Sequence, residues 1–355
     1  MRNLDNTQAV ILDDYAESFF TGSVLAKLRG KKVLITGVTG MLASYIVDVL
    51  LIYNDRLMNN GDRICITGMA RDKDRVARRF ANWRDRKDLN FIIQDVVEPL
   101  TTSEAFDTII HAASNASPKF YKTDPVGTLM ANIEGTRNLL SYAQNHKIES
   151  FLFFSSGEVY GNPTGRNYKF NEDSFGALNP VELRSCYAEG KRAGEAMCVA
   201  WCSQYGIPVK IVRPFHVYGP GMKLDDGRVF ADFVSDIVHK RDIIIRSDGL
   251  ARRAFCYISD ATQAFLKVLL FGENGVPYNI GNPEAEISIG ELATMLINLY
   301  PELSLKVRYD YPKENYMPSD TIAVVPDIQR IKQMGWEPTV SIKTGFKKTI
   351  RSFQR

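Results

Sequence analysis

Short apolar runs alternate with segments of helical spacing along the first two thirds of the chain. The segment MLASYIVDVLLIYN repeats apolar residues three and four positions apart, and it follows an apolar run that ends in glycine. Apolar runs between helical segments are typical of strands that are buried on both faces of a parallel sheet. The pattern predicts an α/β fold with a doubly wound parallel sheet, whose strands lie within 31–37, 63–70, 90–96, 107–113, 150–156 and 209–215.

The first predicted strand runs into a glycine-rich turn. The turn reads GVTGMLA (37–43) and leads directly into a predicted helix. Glycines allow a tight turn close to a pyrophosphate, and the N–H groups at a helix N-terminus bind its negative charge. A Gly-x-x-Gly between a strand and a helix has the context that dinucleotide binding requires. We therefore expect cofactor contacts from Gly37, Thr39, Gly40, Met41 and Leu42.

The second predicted strand lacks the acid that usually holds the adenosine ribose. It ends in Ala70-Arg71, and the first acid is Asp72. An arginine here can pair with a 2′-phosphate or stack on adenine, so the choice between NAD and NADP stays open. Asp95, after the third strand, can bond the adenine amine or cap a helix.

The composition changes after residue 215, where elements become shorter and Pro, Gly and Asp become more frequent. We expect a helical extension over 1–30 and a dinucleotide-binding Rossmann domain over 31–215, to which 257–282 returns. A smaller substrate-binding domain is expected from 216–256 and 283–355.

A serine that ends the fifth strand is followed by a tyrosine and a lysine at catalytic spacing. Ser156 lies in FFSSGEVYG, which by itself would be an ordinary turn. Thirty-one residues later, Tyr187 and Lys191 are four positions apart and share one face of a predicted helix. A lysine beside a phenol stabilises the phenolate, which can take a proton from a substrate hydroxyl. With the glycine-rich turn upstream, this combination predicts an oxidoreductase-type site.

These motifs resemble the extended short-chain dehydrogenase/reductases that act on nucleotide sugars, the NAD-dependent epimerase/dehydratase family. Within that family the chain is most similar to the UDP-glucuronate decarboxylases. The resemblance covers about residues 31 to 350 and rests on HAASNASPKFYKTDPVGTLMANIEGTRNLL (111–140), LRSCYAEGKRAGEAMC (183–198), GPGMKLDDGRVFADFV (219–234), RRAFCYISDA (252–261), YNIGNPEAEISI (278–289) and MGWEPTVSI (334–342).

The resemblance implies roles for individual residues. It implies bound NAD, oxidation at C4 of a nucleotide-linked sugar, and a homodimer. The catalytic residues would be Ser156, Glu158, Tyr187, Lys191 and Arg253. Further cofactor contacts would come from Arg71, Asp95, Val96, Ala112, Ala113, Ser114, Tyr187 and Lys191. Substrate contacts would come from Ser117, Tyr121, Asn132, His216, Arg228 and Arg253.

Three positions depart from the family pattern. Gly157 replaces a serine of the decarboxylases and an aspartate of dTDP-glucose 4,6-dehydratase, His216 replaces an asparagine, and Arg71 replaces the ribose-binding acid. Decarboxylation of UDP-glucuronate to UDP-xylose is the favoured hypothesis. The alternatives are 4,6-dehydration or epimerisation after the same oxidation and, in another class, a nucleotide-sugar sensor without turnover.

Several residues also have structural interpretations. Asn132 is as well suited to a buried helix bond as to a site contact, and His111 is predicted to be a core histidine. Asp260 precedes a helical segment, which predicts an N-cap.

Composition narrows the class further. The 355 residues carry a net charge of +3 without a block of like charges, so we expect no nucleic-acid partner. No apolar run reaches about 18 residues, and the first residues lack a signal-peptide layout, so we expect no membrane span. Five scattered cysteines suggest reduced thiols in the cytoplasm. The four histidines show no metal-ligand spacing, and we expect no metal.

Overall fold

The computed structural model describes residues 5–17, 22–162, 169–311 and 323–354. Its strands are β1 (Lys32–Thr36), β2 (Cys65–Ala70), β3 (Leu89–Ile93), β4 (Thr108–His111), β5 (Ser150–Phe154), β6 (Lys169–Phe170), β7 (Val209–Pro214), β8 (Val217–Tyr218), β9 (Ile243–Ile245), β10 (Arg252–Ala254), β11 (Cys256–Tyr257), β12 (Pro277–Ile280), β13 (Glu286–Ser288), β14 (Val307–Tyr309) and β15 (Ala323–Pro326). Its α-helices are α1 (Asn6–Glu17), α2 (Gly22–Ala26), α3 (Met41–Asn54), α4 (Lys73–Arg79), α5 (Pro118–Thr123), α6 (Pro125–Asn145), α7 (Ser185–Tyr205), α8 (Val229–Val238), α9 (Ile258–Phe271), α10 (Ile289–Asn298), α11 (Gln329–Gln333) and α12 (Ile342–Arg351).

Seven parallel strands form the main sheet, in the order β12-β7-β5-β4-β1-β2-β3. The chain runs outward from β1 through β2 to β3 and then crosses back to β4 on the other side of β1. The carboxyl ends of β1 and β4 therefore flank the point where the strand order reverses, which is where ligands bind in open α/β sheets. The predicted α/β class and doubly wound sheet are confirmed, and each of the six predicted strands lies in it.

Helices cover both faces of this sheet, which explains why its strands are apolar throughout. Val33 and Ile35 face a core that includes α3 and α9, whereas Leu34, between them, faces a second core with α6 and α7. All three side chains are fully buried. Alternate residues of one strand thus enter two cores, as a doubly covered sheet requires.

Smaller sheets follow the main one in the second half of the chain. A four-stranded sheet has the order β13-β10-β15-β6, and two-stranded pairs join β8 to β11 and β9 to β14. Strand β12, from the segment predicted to return to the first domain, pairs with β7. The proposed domain boundaries remain a prediction.

The described part of the N-terminal extension contains α1 and α2, and a buried carboxylate on α1 contacts three other elements. Asp14 on α1 accepts hydrogen bonds from Tyr45 (2.9 Å), Tyr257 (2.8 Å) and Lys348 (2.8 Å). These partners lie on α3, β11 and α12, so α1 joins the first-domain helix α3 to the C-terminal helix. Within the ranges given above, no helix is long and apolar enough to cross a membrane.

Candidate active site

The glycine-rich turn lies against the carboxyl end of β4. Gly37 has φ +65°, and a Cβ atom there would lie 2.6 Å from the Cα of Ala113. Only glycine fits this close approach. Gly40 caps α3 without a side-chain hydrogen bond, so the first-turn N–H groups of α3 remain available to an anion. The turn from Gly37 to Leu42 therefore has the geometry that a pyrophosphate needs.

Orphaned polar atoms mark the wall of the same crevice. The Ser114 hydroxyl and the Asn132 side-chain oxygen are buried without a hydrogen-bond partner in the part of the chain that the structure describes. Buried polar groups without partners are costly, so their presence indicates positions that a ligand or water completes. Ala112 and Ala113 line the wall beside Ser114, and Val96 packs against Gly135 of α6, where a Cβ would approach to 2.8 Å. These residues fit a dinucleotide.

Two arginines lie where β2 ends and α4 begins. Arg71 follows β2 and reaches across to Asp95 (3.5 Å) and Asn115 (3.3 Å). Arg75, on α4, donates to the backbone oxygen of Thr39 at 3.3 Å. The sequence analysis did not single out Arg75. The signal in the sequence was its position, four residues after Arg71 and three after Asp72, which caps α4.

The predicted tyrosine and lysine lie on the face of α7 that meets the sheet. Gly190 and Gly194 allow this helix to approach closely, because a Cβ at Gly194 would lie 2.5 Å from the Phe153 ring and one at Gly190 would lie 3.2 Å from Asn132. The Lys191 ammonium donates to the backbone oxygen of Phe154 at 2.6 Å and lies 5.8 Å from the centre of the Tyr187 ring. Lysine and tyrosine are thus neighbours on one face, as predicted.

Burial dominates the protonation of both groups. It raises the pKa of Tyr187 to about 12, against the smaller lowering effects of a hydrogen bond from Ser156 and of the Arg228 charge. Burial also lowers the pKa of Lys191 to about 7, although Cys198 and Glu195 act in the opposite direction. In the absence of ligand, burial thus outweighs the effects that lower the phenol pKa. The ligand-free phenol is therefore protonated at neutral pH.

Ser156 and Glu158 belong to a short 3₁₀ turn, Gly157–Tyr160, that follows β5. The Ser156 hydroxyl caps this turn by accepting from the Glu158 amide at 3.2 Å, and it also bonds Tyr187. Arg192 fastens the turn to α7 by donating to the backbone oxygen of Val159 at 2.7 Å. A Cβ at Gly157 would lie 2.9 Å from the buried Phe215 ring, which explains a glycine at this position.

The Glu158 carboxylate points out of the turn into a group of arginines. It pairs with Arg184 at 3.3 Å. Burial lowers the pKa of Arg253, and the charge of Glu158 acts in the opposite direction, so Arg253 lies within electrostatic range of this carboxylate. Arg184 precedes α7, and sequence reasoning missed it although it is the arginine of the R-x-C-Y motif. Arg253 lies on β10 and is half-buried. The Glu158 carboxylate is thus paired with one guanidinium group and lies within electrostatic range of a second.

The segment after β4 and the loop before α8, which carry residues predicted to contact substrate, are joined by a hydrogen bond. Ser117 donates to the backbone oxygen of Asp226, and the Asp226 carboxylate accepts from the Arg228 Nε at 2.8 Å. The Tyr121 ring stacks on Tyr187, with 5.2 Å between ring centres. These contacts place Tyr121 against Tyr187 and join Ser117 to Arg228 through Asp226.

His216 adopts an unusual backbone conformation. Its φ is +37°, in a region that non-glycine residues rarely adopt, and its Nδ1 is buried without a partner among the described residues. Burial, together with the charges of Arg253 and Arg228, lowers its pKa to about 3. A neutral imidazole therefore faces the two arginines.

His111 lies beneath the site as a core histidine, as predicted. It is 1% exposed and bonds Thr36 through Nδ1 (2.9 Å) and Thr136 through Nε2 (3.1 Å). Thr136 donates onward to the backbone oxygen of Asn132 at 2.6 Å, and Asn132 donates to that of Thr128 at 2.8 Å. Asn132 therefore has a helix bond and also an orphaned oxygen, so both interpretations of this residue fit.

A groove of about 870 Å³ opens beside Arg228, between Gly227 and Val229. Three arginines and three aspartates contribute to its walls: Arg241, Arg246, Arg308, Asp232, Asp236 and Asp242. Among the described residues, no group of three or more His, Cys, Asp or Glu side chains could hold a metal ion.

Comparison with known proteins decides the family. The model of the NAD dependent epimerase/dehydratase family matches residues 33–281. The chain belongs to this family. Membership confirms the predicted family and, because the family is NAD-dependent, the predicted cofactor NAD.

Relatives of this family member carry a more specific name. The chain is 35% identical over 316 residues to UDP-glucuronic acid decarboxylase 5 of Arabidopsis thaliana, covering 88% of this chain and 86% of that protein. It is 34% identical over 341 residues to UDP-glucuronic acid decarboxylase 1 of Danio rerio, covering 93% and 74%.

Solved structures support the fold. An epimerase from Methanothermobacter thermautotrophicus superposes with a TM-score of 0.78 at 21% identity, covering 95% of this chain and 96% of that one. UDP-glucuronic acid 4-epimerase from Bacillus cereus in complex with NAD gives 0.73 at 22%, covering 91% and 98%. At these identities the likeness shows the fold alone.

Proposed function

We propose that this protein oxidises C4 of UDP-glucuronate, releases CO₂ from the 4-keto sugar and reduces the product to UDP-xylose. The observation that carries the proposal is the convergence of Tyr187 and Ser156 with a Glu158 carboxylate that pairs with Arg184 and lies within electrostatic range of Arg253. The relatives named as UDP-glucuronic acid decarboxylases, which align with most of the chain, support the choice of reaction.

Tyr187 acts as the base in the first step. Its phenolate takes the proton of the C4 hydroxyl, while Ser156 hydrogen-bonds the same oxygen and fixes its position. When bound, the dinucleotide supplies a hydride acceptor at C4 and, in its oxidised form, a positive charge beside the phenol. Lys191 lies on the same helix face as Tyr187 and donates to the backbone oxygen of Phe154. When its amine is protonated, its positive charge favours the phenolate.

Loss of CO₂ follows from the chemistry of the 4-keto sugar. The C4 carbonyl makes the C5 carboxylate that of a β-keto acid, so the C5–carboxylate bond breaks and its electron pair passes into an enolate. Tyr187, now protonated, and Ser156 donate to the C4 oxygen and stabilise its negative charge. A proton then adds to C5. Hydride returns to C4, and Tyr187 gives its proton to the C4 oxygen, which restores the C4 hydroxyl and the phenolate.

The charges around the site suit a substrate with a diphosphate and a carboxylate. Arg184 and Arg253 flank Glu158, and Arg228 lies beside the 870 Å³ groove. We propose that the sugar carboxylate lies towards Arg253 and the nucleotide lies in the groove. Tyr121, Ser117, His216 and Asn132 complete the contacts that we propose for the substrate.

One observation favours a second candidate. Glu158 is 48% exposed and faces the site from the turn that carries Ser156, so it could act as a base at C5. In that case the 4-keto sugar would lose water or epimerise. Gly157 stands where dTDP-glucose 4,6-dehydratase has its proton-donating aspartate, which disfavours that particular dehydration.

We also propose that the protein is a cytoplasmic homodimer. Its five cysteines are free, which suits a reducing compartment. Helices α6 and α7 lie side by side, and α7 exposes Val199 and Tyr205 (46% each). Exposed apolar side chains on paired helices support a helical interface between two copies. Sedimentation of the purified chain tests this point.

The reaction is tested by mass spectrometry of the nucleotide sugars formed from UDP-glucuronate, UDP-glucose, dTDP-glucose and GDP-mannose in separate reactions. Loss of CO₂ from UDP-glucuronate alone supports the decarboxylase. Loss of water from one of the neutral sugars, with UDP-glucuronate unchanged, supports the second candidate instead.

A further inference from the structure

The end of β2 lies directly beside the glycine-rich turn. The Val38 amide donates to the backbone oxygen of Met69 at 3.2 Å, so Ala70 and Arg71 follow directly after a contact with this turn. In NAD sites of this architecture, an acid at the end of the second strand accepts the ribose 2′-hydroxyl. Such an acid also repels a 2′-phosphate. Here the residue at that point is Arg71.

The two acids nearest in sequence to the ends of β2 and β3 already have hydrogen-bond partners. Asp72 caps α4 by accepting from the Arg75 amide at 2.9 Å. Asp95 accepts from the Val97 amide at 3.2 Å and faces Arg71. Within the described ranges, the end of β2 therefore presents the Arg71 guanidinium to the ribose. Asp72 is engaged as a helix cap, and Asp95 pairs with Arg71 itself at 3.5 Å.

A second guanidinium group comes from the next helical turn. Arg75 is half-buried and donates to Thr39 of the glycine-rich turn at 3.3 Å. Burial, together with the charges of Arg75 and Lys119, lowers the pKa of Lys223, although the charges of Asp225 and Asp226 act in the opposite direction. Arg75, Lys119 and Lys223, from three separate segments, thus lie near one another at this corner, together with Asp225 and Asp226.

The present contacts of Arg71 are easily exchanged. Its bonds to Asp95 and Asn115 are long (3.5 and 3.3 Å), and its side chain is 57% exposed. Exposed ion pairs of this kind contribute little stability, whereas arginine binds phosphate with charged, bidentate hydrogen bonds. A phosphate could therefore take the guanidinium from its present partners at little cost.

We propose that Arg71 and Arg75 form a 2′-phosphate subsite, so that this chain binds NADP at least as tightly as NAD. The family is NAD-dependent, and the proposed subsite is an additional feature of this sequence. It depends on the dinucleotide crevice alone and not on the sugar reaction, so it can fail or hold independently of the proposed decarboxylase activity.

The test uses two small probes that differ only in the 2′-phosphate. Isothermal titration calorimetry of the full chain, washed free of bound nucleotide, measures dissociation constants for 2′,5′-ADP and 5′-AMP, and then for NADP and NAD. We expect 2′,5′-ADP to bind about 10- to 100-fold more tightly than 5′-AMP, as charged hydrogen bonds to phosphate allow. Equal or weaker binding of 2′,5′-ADP, or weaker binding of NADP than of NAD, would overturn the proposal.

Variants assign the effect to its residues. Arg71→Ala and Arg75→Ala should each remove most of the advantage of 2′,5′-ADP and leave the affinity for 5′-AMP within about twofold, which also shows that the crevice is intact. Arg78→Ala, an exposed arginine on the same helix, is the matched control and should keep the full advantage. An advantage that survives both variants would contradict the assignment to these arginines.

Discussion

The ring of Tyr121 stacks on the ring of Tyr187 at 5.2 Å and 19°. The Tyr121 hydroxyl donates to the backbone oxygen of Ala116 at 3.0 Å, so the stacking ring is fixed to the loop that follows β4. One wall of the pocket around the catalytic phenol is thus an aromatic ring.

Removing this ring should weaken catalysis more than removing its hydroxyl. Tyr121→Ala should lower kcat/KM about tenfold, since a buried aromatic pair contributes about 0.5–1.5 kcal/mol and its loss also admits water. Tyr121→Phe keeps the stack and should stay within about threefold of the wild type. Steady-state kinetics on the two variants checks this, and equal losses would show that the stack has no role.

Gly157 should resist substitution for steric reasons. A Cβ there would lie 2.9 Å from the ring of Phe215, which is 1% exposed. Gly157→Ser should lower the free energy of unfolding by about 1–3 kcal/mol because the core has to move. Combining it with Phe215→Leu should recover part of that loss. Denaturant unfolding measures both, and an unchanged Gly157→Ser midpoint would contradict the close contact.

Arg184 should matter only for substrates that bear a carboxylate. Arg184→Gln removes one of the two cations beside Glu158, so affinity for UDP-glucuronate should fall about fivefold. Affinity for UDP-xylose, which lacks the carboxylate, should stay within about twofold, and Arg184→Lys should retain part of the difference.

The matched control for Arg184 is Arg137→Gln. Arg137 forms an exposed pair with Glu134 at 2.8 Å on α6, outside the site. It should leave both affinities unchanged. Calorimetric titration with the two nucleotide sugars decides the matter, and a parallel loss for both sugars in Arg184→Gln would contradict a carboxylate-specific role.

His111 should make the protein sensitive to acid. Burial, together with the charge of Lys191, lowers its pKa from 6.5 to about 3, so the folded state keeps it neutral while the unfolded state takes up a proton. Its contribution is fully present above pH 6.5 and is lost as pH falls towards 3. Each pH unit in this window can cost up to about 1.4 kcal/mol.

The variant His111→Gln should flatten that dependence. Denaturant unfolding at a series of pH values between neutral and mildly acidic gives the free energy of unfolding for both proteins. The wild type should lose stability more steeply than the variant as the solution becomes acidic. Parallel curves would show that His111 is not kept neutral by the fold.

The sequence was sufficient to predict the main sheet because its strands are buried on both faces. Such strands must be apolar throughout, and turns that separate them are visible as Gly, Asp and Asn. Strand β12 was not delimited, since PYNI (277–280) carries a proline and an asparagine. Asn279 is tolerated there because its side chain bonds Tyr160 (2.6 Å) and the backbone oxygen of Phe170 (2.8 Å).

Local interpretation failed where a distant segment supplied the partner. Asp260 was predicted to cap a helix, but Tyr257 is the N-cap of α9 and Asp260 lies inside its first turn. Its carboxylate instead accepts from the amides of Thr339 (3.0 Å) and Val340 (2.8 Å). Seventy-nine residues separate Asp260 from Thr339, so no local pattern reveals this contact.

In the candidate site, too, local spacing could be predicted from the sequence, whereas contacts with distant segments could not. The spacing of Tyr187 and Lys191 on one helix predicted their common face. The pKa of Tyr187 could not be predicted in this way, because burial is the largest influence on it and depends on distant segments such as the one that carries Tyr121. The approach of Arg184 to Glu158 likewise depends on how the turn after β5 meets the start of α7.

The central claim is that Tyr187 starts a decarboxylation of UDP-glucuronate. The most direct measurement is the mass spectrum of nucleotide sugars after incubation of wild type and Tyr187→Phe with UDP-glucuronate and dinucleotide in deuterated water. The account predicts UDP-xylose that carries one deuterium from the wild type and unchanged UDP-glucuronate from the variant. A product that keeps its carboxylate, or CO₂ loss that continues at the wild-type rate in Tyr187→Phe, would contradict it.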